Sequence, residues 1–236
     1  MLRIAIEGMV HDRDEVLAWE ARRMTSVRKK LGLPHSDSPL ADQRIELTER
    51  KLALGHDGIK RLLGRGPWLS EKITRVTLKL SGRRKRVSVC EIEVSAGSAE
   101  GFAKWFEDRN NLNDEKSMID ACPDHYIINR DAAGRQFVLE TTGGSPLPGA
   151  FTVDYDDTST LITPADPSFP HQVAGVARLD DGLAIGGVRH QFRQEGDGFR
   201  ARLTVEFPGR VPGRMIAEHR WHLACEFSNW IEAAGR

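Results

Sequence analysis

Six predicted β-strands follow one another between residues 125 and 207 with no helical pattern among them, and a long helix then closes the chain. The segments are short, rich in β-branched and aromatic residues and bounded by Gly, Asp or Pro, as antiparallel strands are. The turns Asp180-Asp181-Gly182 and Glu195-Gly196-Asp197-Gly198 join the last three into a meander. The predicted strands are His125–Asn129, Gln136–Thr141, Gly149–Tyr155, Val173–Arg178, Leu183–Arg193 and Phe199–Phe207.

Helices dominate the earlier part of the chain. We predict helices over residues 11–32, 41–64, 99–108, 114–121 and 210–234, and a strand pair, Thr74–Leu80 with Val87–Val94, around the turn 81–86. This order is typical of the α+β helix-grip fold of Bet v1 and START domains, in which the long C-terminal helix crosses an antiparallel sheet and leaves a cavity. We therefore predict an N-terminal helical region over residues 1–72, used for packing or dimerisation, and a helix-grip domain over 73–236.

The composition argues against several classes of partner. The 236 residues include 34 basic and 34 acidic side chains, so no net charge draws the chain to nucleic acid or to a membrane. Cys90, Cys122 and Cys225 lack the short spacings of a disulfide framework or a Cys-rich zinc site, which favours a reducing cytosol. Met1–Val10 is too short for a signal peptide, and no apolar run reaches the roughly 18 residues of a membrane span. We expect a cytoplasmic protein that binds neither nucleic acid nor membrane.

The closing helix carries a candidate pair of metal ligands. His222 and Glu226 are four residues apart, so their side chains project from the same side of the helix. All three side chains, with His219, flank the apolar stripe, and from there His222 and Glu226 can face the expected cavity. An ordinary boundary pair is the alternative for His222 and Glu226, and for His219 we expect a solvated side chain. The stripe consists of Ile216, Leu223, Phe227 and Trp230.

The first two strands of the succession supply a second pair. If residues 131–134 form the loop, His125 lies opposite Glu140 and Asn129 opposite Gln136, all on one face. Tyr126 then belongs to the core on the other face. A His–Glu pair on the sheet beneath His222 and Glu226 would offer two imidazoles and two carboxylates, which is a donor set that Zn²⁺ accepts.

These segments resemble a known family of enzymes. The resemblance spans residues 73–236 and is to the 2,4-diacetylphloroglucinol/phloretin hydrolases, which are zinc enzymes with a Bet v1-like catalytic domain and an N-terminal helical region. It implies zinc on His125, Glu140, His222 and Glu226, with Asn129 and His190 as polar helpers. The segments that carry it are Cys122-Pro123-Asp124-His125-Tyr126, Val138-Leu139-Glu140-Thr141-Thr142-Gly143-Gly144, His190-Gln191-Phe192-Arg193 leading into Gly198-Phe199-Arg200-Ala201-Arg202, and His222-x-x-x-Glu226.

The implied reaction is hydrolysis of the carbon–carbon bond between an acyl group and a phenolic or polyketide-like ring. Zinc would polarise an oxygen or activate water. His190 would supply or relay the proton that the ring carbon takes up, and Arg193 or Asn129 would orient a phenolic or carbonyl oxygen. Two other functions stay open, namely a non-catalytic protein that binds hydrophobic ligands and a metal-free polyketide cyclase or aromatase. In each case we expect an aromatic ketone or polyketide-like small molecule as partner, with a homodimer as a further expectation.

Overall fold

The computed structural model describes residues 1–131 and 133–235, so Ala132 of the predicted loop 131–134 and the terminal Arg236 lie outside the described residues. The described strands are β1 Leu2–Ile6, β2 Met9–His11, β3 Lys85–Val94, β4 His125–Arg130, β5 Gln136–Glu140, β6 Gly149–Asp154, β7 His171–Arg178, β8 Ala184–Glu195 and β9 Gly198–Pro208. The helices are α1 Arg13–Lys30, α2 Leu40–Leu63, α3 Gly66–Ser81, α4 Ala99–Asn111, α5 Glu115–Asp120 and α6 Gly213–Ala234, with a short 3-10 helix at Thr142–Gly144.

The nine strands form one antiparallel sheet in the order β2-β1-β3-β9-β8-β7-β6-β5-β4. The predicted meander is confirmed, because β7, β8 and β9 are adjacent and antiparallel. On one face of the sheet, α6 packs with α4 and α5: the Trp230 ring lies 5.1 Å from Phe106 of α4, and Phe102 lies 5.2 Å from Phe192 of β8. A large antiparallel sheet with a long C-terminal helix across it is the helix-grip arrangement that the order of elements predicts.

The other face of the sheet is covered at one end by α1 and α2. Asp12 caps α1 in a capping box with Glu15, which satisfies backbone N–H groups at the helix start. Met24 of α1 and Ile59 of α2 belong to a second apolar cluster, which also holds Tyr126, as the sequence predicts for that residue. The β4–β5 hairpin is therefore covered on both faces, so its inward side chains are held far from solvent.

One sequence prediction about the N-terminal third is wrong, and two strands there were not predicted. Thr74–Leu80 is part of helix α3 and not a strand. Its β-branched residues and alternating apolar positions are typical of a strand. The same apolar positions also fit the 3.6-residue period of a half-exposed helix, which is what forms. Strands β1 and β2 were not predicted. Leu2, Ile4 and Ile6 of β1 are buried and alternate with less buried residues, which is the two-residue period of a strand.

The sheet also extends into the predicted N-terminal region. Strand β1 pairs with β3 over four residue pairs, from Leu2 opposite Val94 to Ala5 opposite Glu91. The predicted boundary between residues 72 and 73 falls inside α3. The first residues of the chain are thus structural parts of the same sheet as the candidate metal ligands.

Candidate metal centre

Strands β4 and β5 place the first two predicted ligands opposite each other. His125 pairs with Glu140 in the register that the sequence predicts. Helix α6 crosses above this pair and directs His222 and Glu226 towards it. All four residues are at most 8% exposed. The structure therefore brings together the four residues that the sequence singled out.

The four donor atoms converge closely. The Nε2 atom of His125 lies 3.1 Å from Nε2 of His222 and 3.0 Å from Oε2 of Glu226. Oε2 of Glu140 lies 3.7 Å from each of these two Nε2 atoms, and Oε2 of Glu226 lies 3.7 Å from Nε2 of His222. Two nitrogens and two oxygens thus surround one small volume.

A hydrogen bond on the far side of the His125 ring fixes its tautomer. Nδ1 of His125 lies 3.1 Å from the backbone carbonyl oxygen of Met118. Since a carbonyl can only accept, Nδ1 carries the proton and Nε2 presents a lone pair to the cluster. That lone pair faces a carboxylate oxygen and another imidazole nitrogen. Acceptors this close in a buried site need a shared proton or a cation between them.

Electrostatics lead to the same conclusion. Burial raises the pKa of Glu140, and it raises the pKa of Glu226 to about 7. Burial also lowers the pKa of His125. Burial alone would lower the pKa of His222. Cys122 and the two carboxylates outweigh this effect and hold the pKa of His222 well above its ordinary value. Burial therefore disfavours the ionised form of both carboxylates, and a divalent cation at this point would favour it.

Cys122 adds a third kind of donor nearby. Ligand atoms of Cys122, His125 and His222 all lie within 4.8 Å of one another, and this buried group could hold a metal ion. However, Sγ of Cys122 faces Nδ1 of His222 at 3.8 Å, which is the ring nitrogen opposite the one that faces the carboxylates. One ion cannot use both sides of the His222 ring, so the thiol and the carboxylates define alternative donor sets.

A cavity of about 350 Å³ opens beside the four donors. Its walls are mainly apolar side chains from the sheet and from α6. His190 on β8 lines the cavity with its ring 4.7 Å from Phe227, and its Nδ1 atom has no hydrogen-bond partner. Burial lowers the pKa of His190 to about 3, so its imidazole is neutral at physiological pH. The main apolar lining residues are Phe106, Val138, Phe151, Val153, Phe207 and Trp230.

The expectation that His219 is solvated is wrong. It is 4% exposed, lines the cavity, and its Nδ1 lies 2.9 Å from Oγ of Ser88 on β3. Its ring stacks on His222 with centroids 5.5 Å apart and planes 6° from parallel. The sequence signal was the three-residue spacing from His222, which places both rings on one side of α6.

Asn129 and Arg193 do not reach the cavity. A β-bulge between His125 and Ile127 shifts the register, so that Asn129 pairs with Phe137 and not with Gln136. Arg193 follows His190 by three residues and points to the opposite face of β8, where it bonds Glu195. Neither side chain is therefore placed to contact a molecule in the cavity.

The loop after Glu140 depends on a glycine. Gly143 has φ +50°, and a Cβ there would lie 2.6 Å from the backbone nitrogen of His219 and 2.7 Å from the carbonyl oxygen of Met215. Both atoms belong to α6 and cannot move cheaply. We expect Gly143→Ala to lower the free energy of unfolding by about 1–3 kcal/mol beyond its backbone strain, measured by urea denaturation.

Gly182→Ala is the matched control for this prediction. Gly182 also has a positive φ, +83°, but a Cβ there would meet nothing within 4 Å. If both variants lose the same stability, close packing of the loop against α6 contributes nothing.

Comparison with known proteins adds little to this geometry. No family model matches the chain, and no curated protein matches it. Among solved structures, the crystal structure of Ara h 8.0201 aligns with a TM-score of 0.43 and 11% sequence identity, over 64% of this chain and 98% of that one.

Proposed function

We propose that this protein is a zinc-dependent hydrolase that cleaves the carbon–carbon bond between an acyl group and a phenolic or polyketide-like ring. The observation that carries the proposal is the convergence of His125, Glu140, His222 and Glu226 on one point at the edge of an apolar cavity. A donor set with two nitrogens and two carboxylate oxygens suits zinc, and the cavity suits an aromatic substrate.

The spacing of the donor atoms supports zinc in particular. Tetrahedral zinc with nitrogen and oxygen ligands at about 2.0–2.1 Å spaces its donors about 3.3–3.4 Å apart. Five of the six separations among the four atoms here run from 3.0 to 3.7 Å. The bond from His125 Nδ1 to the Met118 carbonyl is the outer contact that commonly orients a ligating imidazole.

Two polar groups in the cavity wall could hold a ring oxygen. Tyr155 donates its hydroxyl proton to Oε1 of Gln136 at 2.8 Å, and both side chains line the cavity. The Tyr155 oxygen keeps lone pairs that can accept a hydrogen bond from a phenolic hydroxyl. A hydroxylated ring held at this end would direct its acyl substituent towards the four donors.

The reaction consumes one water and gives a carboxylic acid and a ring that carries hydrogen in place of the acyl group. Bound zinc supplies a Lewis acid for the acyl oxygen or for water. His190 is neutral, so it must take up a proton before it can give one. We therefore assign it a relay: one nitrogen accepts the proton that water loses, and the imidazolium so formed protonates the ring carbon.

Turnover of acylphloroglucinols and related aryl ketones tests this function. We expect zinc-dependent release of the acid, loss of activity on chelation, and at least a hundredfold lower kcat in His190→Gln, since a positioned proton-transfer group contributes about 10²–10⁴-fold. Arg193→Gln, on the opposite face of β8, is the control and should retain activity. If the protein binds these ketones without turnover, and His222→Ala leaves their affinity unchanged, it is a ligand-binding protein and not a hydrolase.

A further inference from the structure

Helix α3 presents its apolar side chains to solvent. Leu69, Ile73, Val76 and Leu80 recur at four- and three-residue intervals and are 43%, 50%, 59% and 64% exposed. This spacing places them in one stripe along the helix. Trp68 beside the stripe is also exposed. The cavity-lining side of the helix carries Ser70, Glu71, Thr74 and Thr77, and Ile73 of the stripe also borders the cavity.

The segment around α3 is strongly basic although the whole chain is neutral. Residues 60–86 contain ten Lys or Arg residues and a single acidic one, Glu71. Arg75 forms ion pairs with Glu71 and Asp181. Lys85 forms an ion pair with Glu206. Exposed basic side chains flank the stripe and both ends of the helix, namely Arg61, Arg65, Lys72, Lys79, Arg83, Arg84 and Arg86.

We propose that α3 docks the protein on the surface of an anionic lipid bilayer. An amphipathic helix with an apolar stripe and a basic surround lies in the membrane interface, where its apolar side chains enter the acyl boundary and its cations meet lipid phosphates. Because α3 also lines the cavity, docking places the cavity beside the bilayer, where apolar compounds partition. None of the helices within residues 1–131 and 133–235 is long and apolar enough to cross a membrane, and interfacial docking requires no such helix.

Two other partners of α3, nucleic acid and a second copy of the chain, do not account for the apolar stripe and the basic residues together. Nucleic acid would use the basic residues but leave the stripe of Leu69, Ile73, Val76 and Leu80 exposed. A second copy packed on the same stripe would bring the two basic segments together and repel. The earlier expectation that the protein binds no membrane rested on the neutral total charge, which hides this local excess.

Co-sedimentation of the full chain with vesicles tests the proposal. We expect binding to vesicles of phosphatidylcholine with phosphatidylserine, weakened by roughly 0.5 M salt, and little binding to phosphatidylcholine alone. Val76→Glu/Leu80→Glu and Arg83→Glu/Arg84→Glu should each lower the partition coefficient at least tenfold. Ile45→Glu is the control: Ile45 is an exposed helical residue on α2, 56% exposed, and its replacement should leave binding unchanged.

Three outcomes would overturn the proposal. One is no binding to anionic vesicles. Another is binding that survives Val76→Glu/Leu80→Glu, or that falls equally in the control Ile45→Glu. The third is evidence for a different partner of α3. Such evidence would be a dimer in light scattering that Val76→Glu dissociates, or binding of duplex DNA through Arg83 and Arg84 that does not need the apolar stripe.

Discussion

Glu226→Gln should weaken zinc binding by more than about a hundredfold. The change keeps the shape of the side chain but removes the negative charge that faces Nε2 of His125 at 3.0 Å. Loss of outer-shell contacts alone costs metal sites about 10–100-fold in affinity, so loss of a ligand must exceed that. Elemental mass spectrometry should find about one zinc per wild-type chain and a strongly reduced content in Glu226→Gln and in His222→Ala.

Cys122→Ser separates the two donor sets. The thiol lies on the Nδ1 side of His222, at 3.8 Å, and not among the four donors, so this variant should keep its zinc. If Cys122→Ser loses the metal while Glu226→Gln keeps it, the ion belongs to the thiol group. If the wild-type chain retains no zinc after loading and dialysis, the zinc hydrolase proposal fails.

The affinity for zinc should also depend on pH. Burial raises the pKa of Glu226 to about 7 in the metal-free protein, so below that pH a proton must leave before the carboxylate can ligate. The apparent zinc affinity should therefore rise as pH increases from about 5 towards 7. When free zinc is a hundredfold above the dissociation constant of the site, bound zinc should add about 2.7 kcal/mol to the free energy of unfolding. Calorimetry should detect this as a higher melting temperature in the presence of zinc.

The sequence predicts the candidate site well because local geometry determines most of it. The four-residue spacing of His222 and Glu226 fixes their relation on any helix. The turn pairs Arg130 with Gln136 and not with Arg135, and the β-bulge between His125 and Ile127 restores the predicted pairing of His125 with Glu140. Asn129 was misplaced because a β-bulge, which no pattern in the strand announces, shifts the register after His125. Arg193 was misplaced because a three-residue step along a strand changes face.

Tertiary packing explains the failures elsewhere. His219 was expected in solvent, but its hydroxyl partner Ser88 lies 131 residues earlier in the chain, on β3. Thr74–Leu80 of helix α3 was expected as a strand because most of the apolar side chains of α3 face outward, the reverse of an ordinary surface helix. Neither the partner of His219 nor this inverted amphipathicity can be read from a single local window of sequence.

The ion pair between Asp124 and Arg23 should be costly to break. Asp124 is fully buried next to His125, and both of its carboxylate oxygens accept hydrogen bonds from the Arg23 guanidinium at 2.7 Å. The pair joins α1 to the start of β4. Asp124→Ala leaves a mostly buried guanidinium without its counter-charge, so we expect a loss of about 3–5 kcal/mol in the free energy of unfolding, measured by urea denaturation.

Asp108→Ala provides the matched control, because Asp108 pairs with Lys104 on the exposed surface of α4. An exposed pair of this kind contributes about 0–1 kcal/mol, so its loss should be small. We attribute the loss of stability in Asp124→Ala to the desolvated, unpaired charge of Arg23. The double variant Arg23→Met/Asp124→Leu removes that charge and should recover much of the stability that Asp124→Ala loses. Equal losses in Asp124→Ala and Asp108→Ala would mean that the buried pair does not anchor α1 to the strand that carries His125.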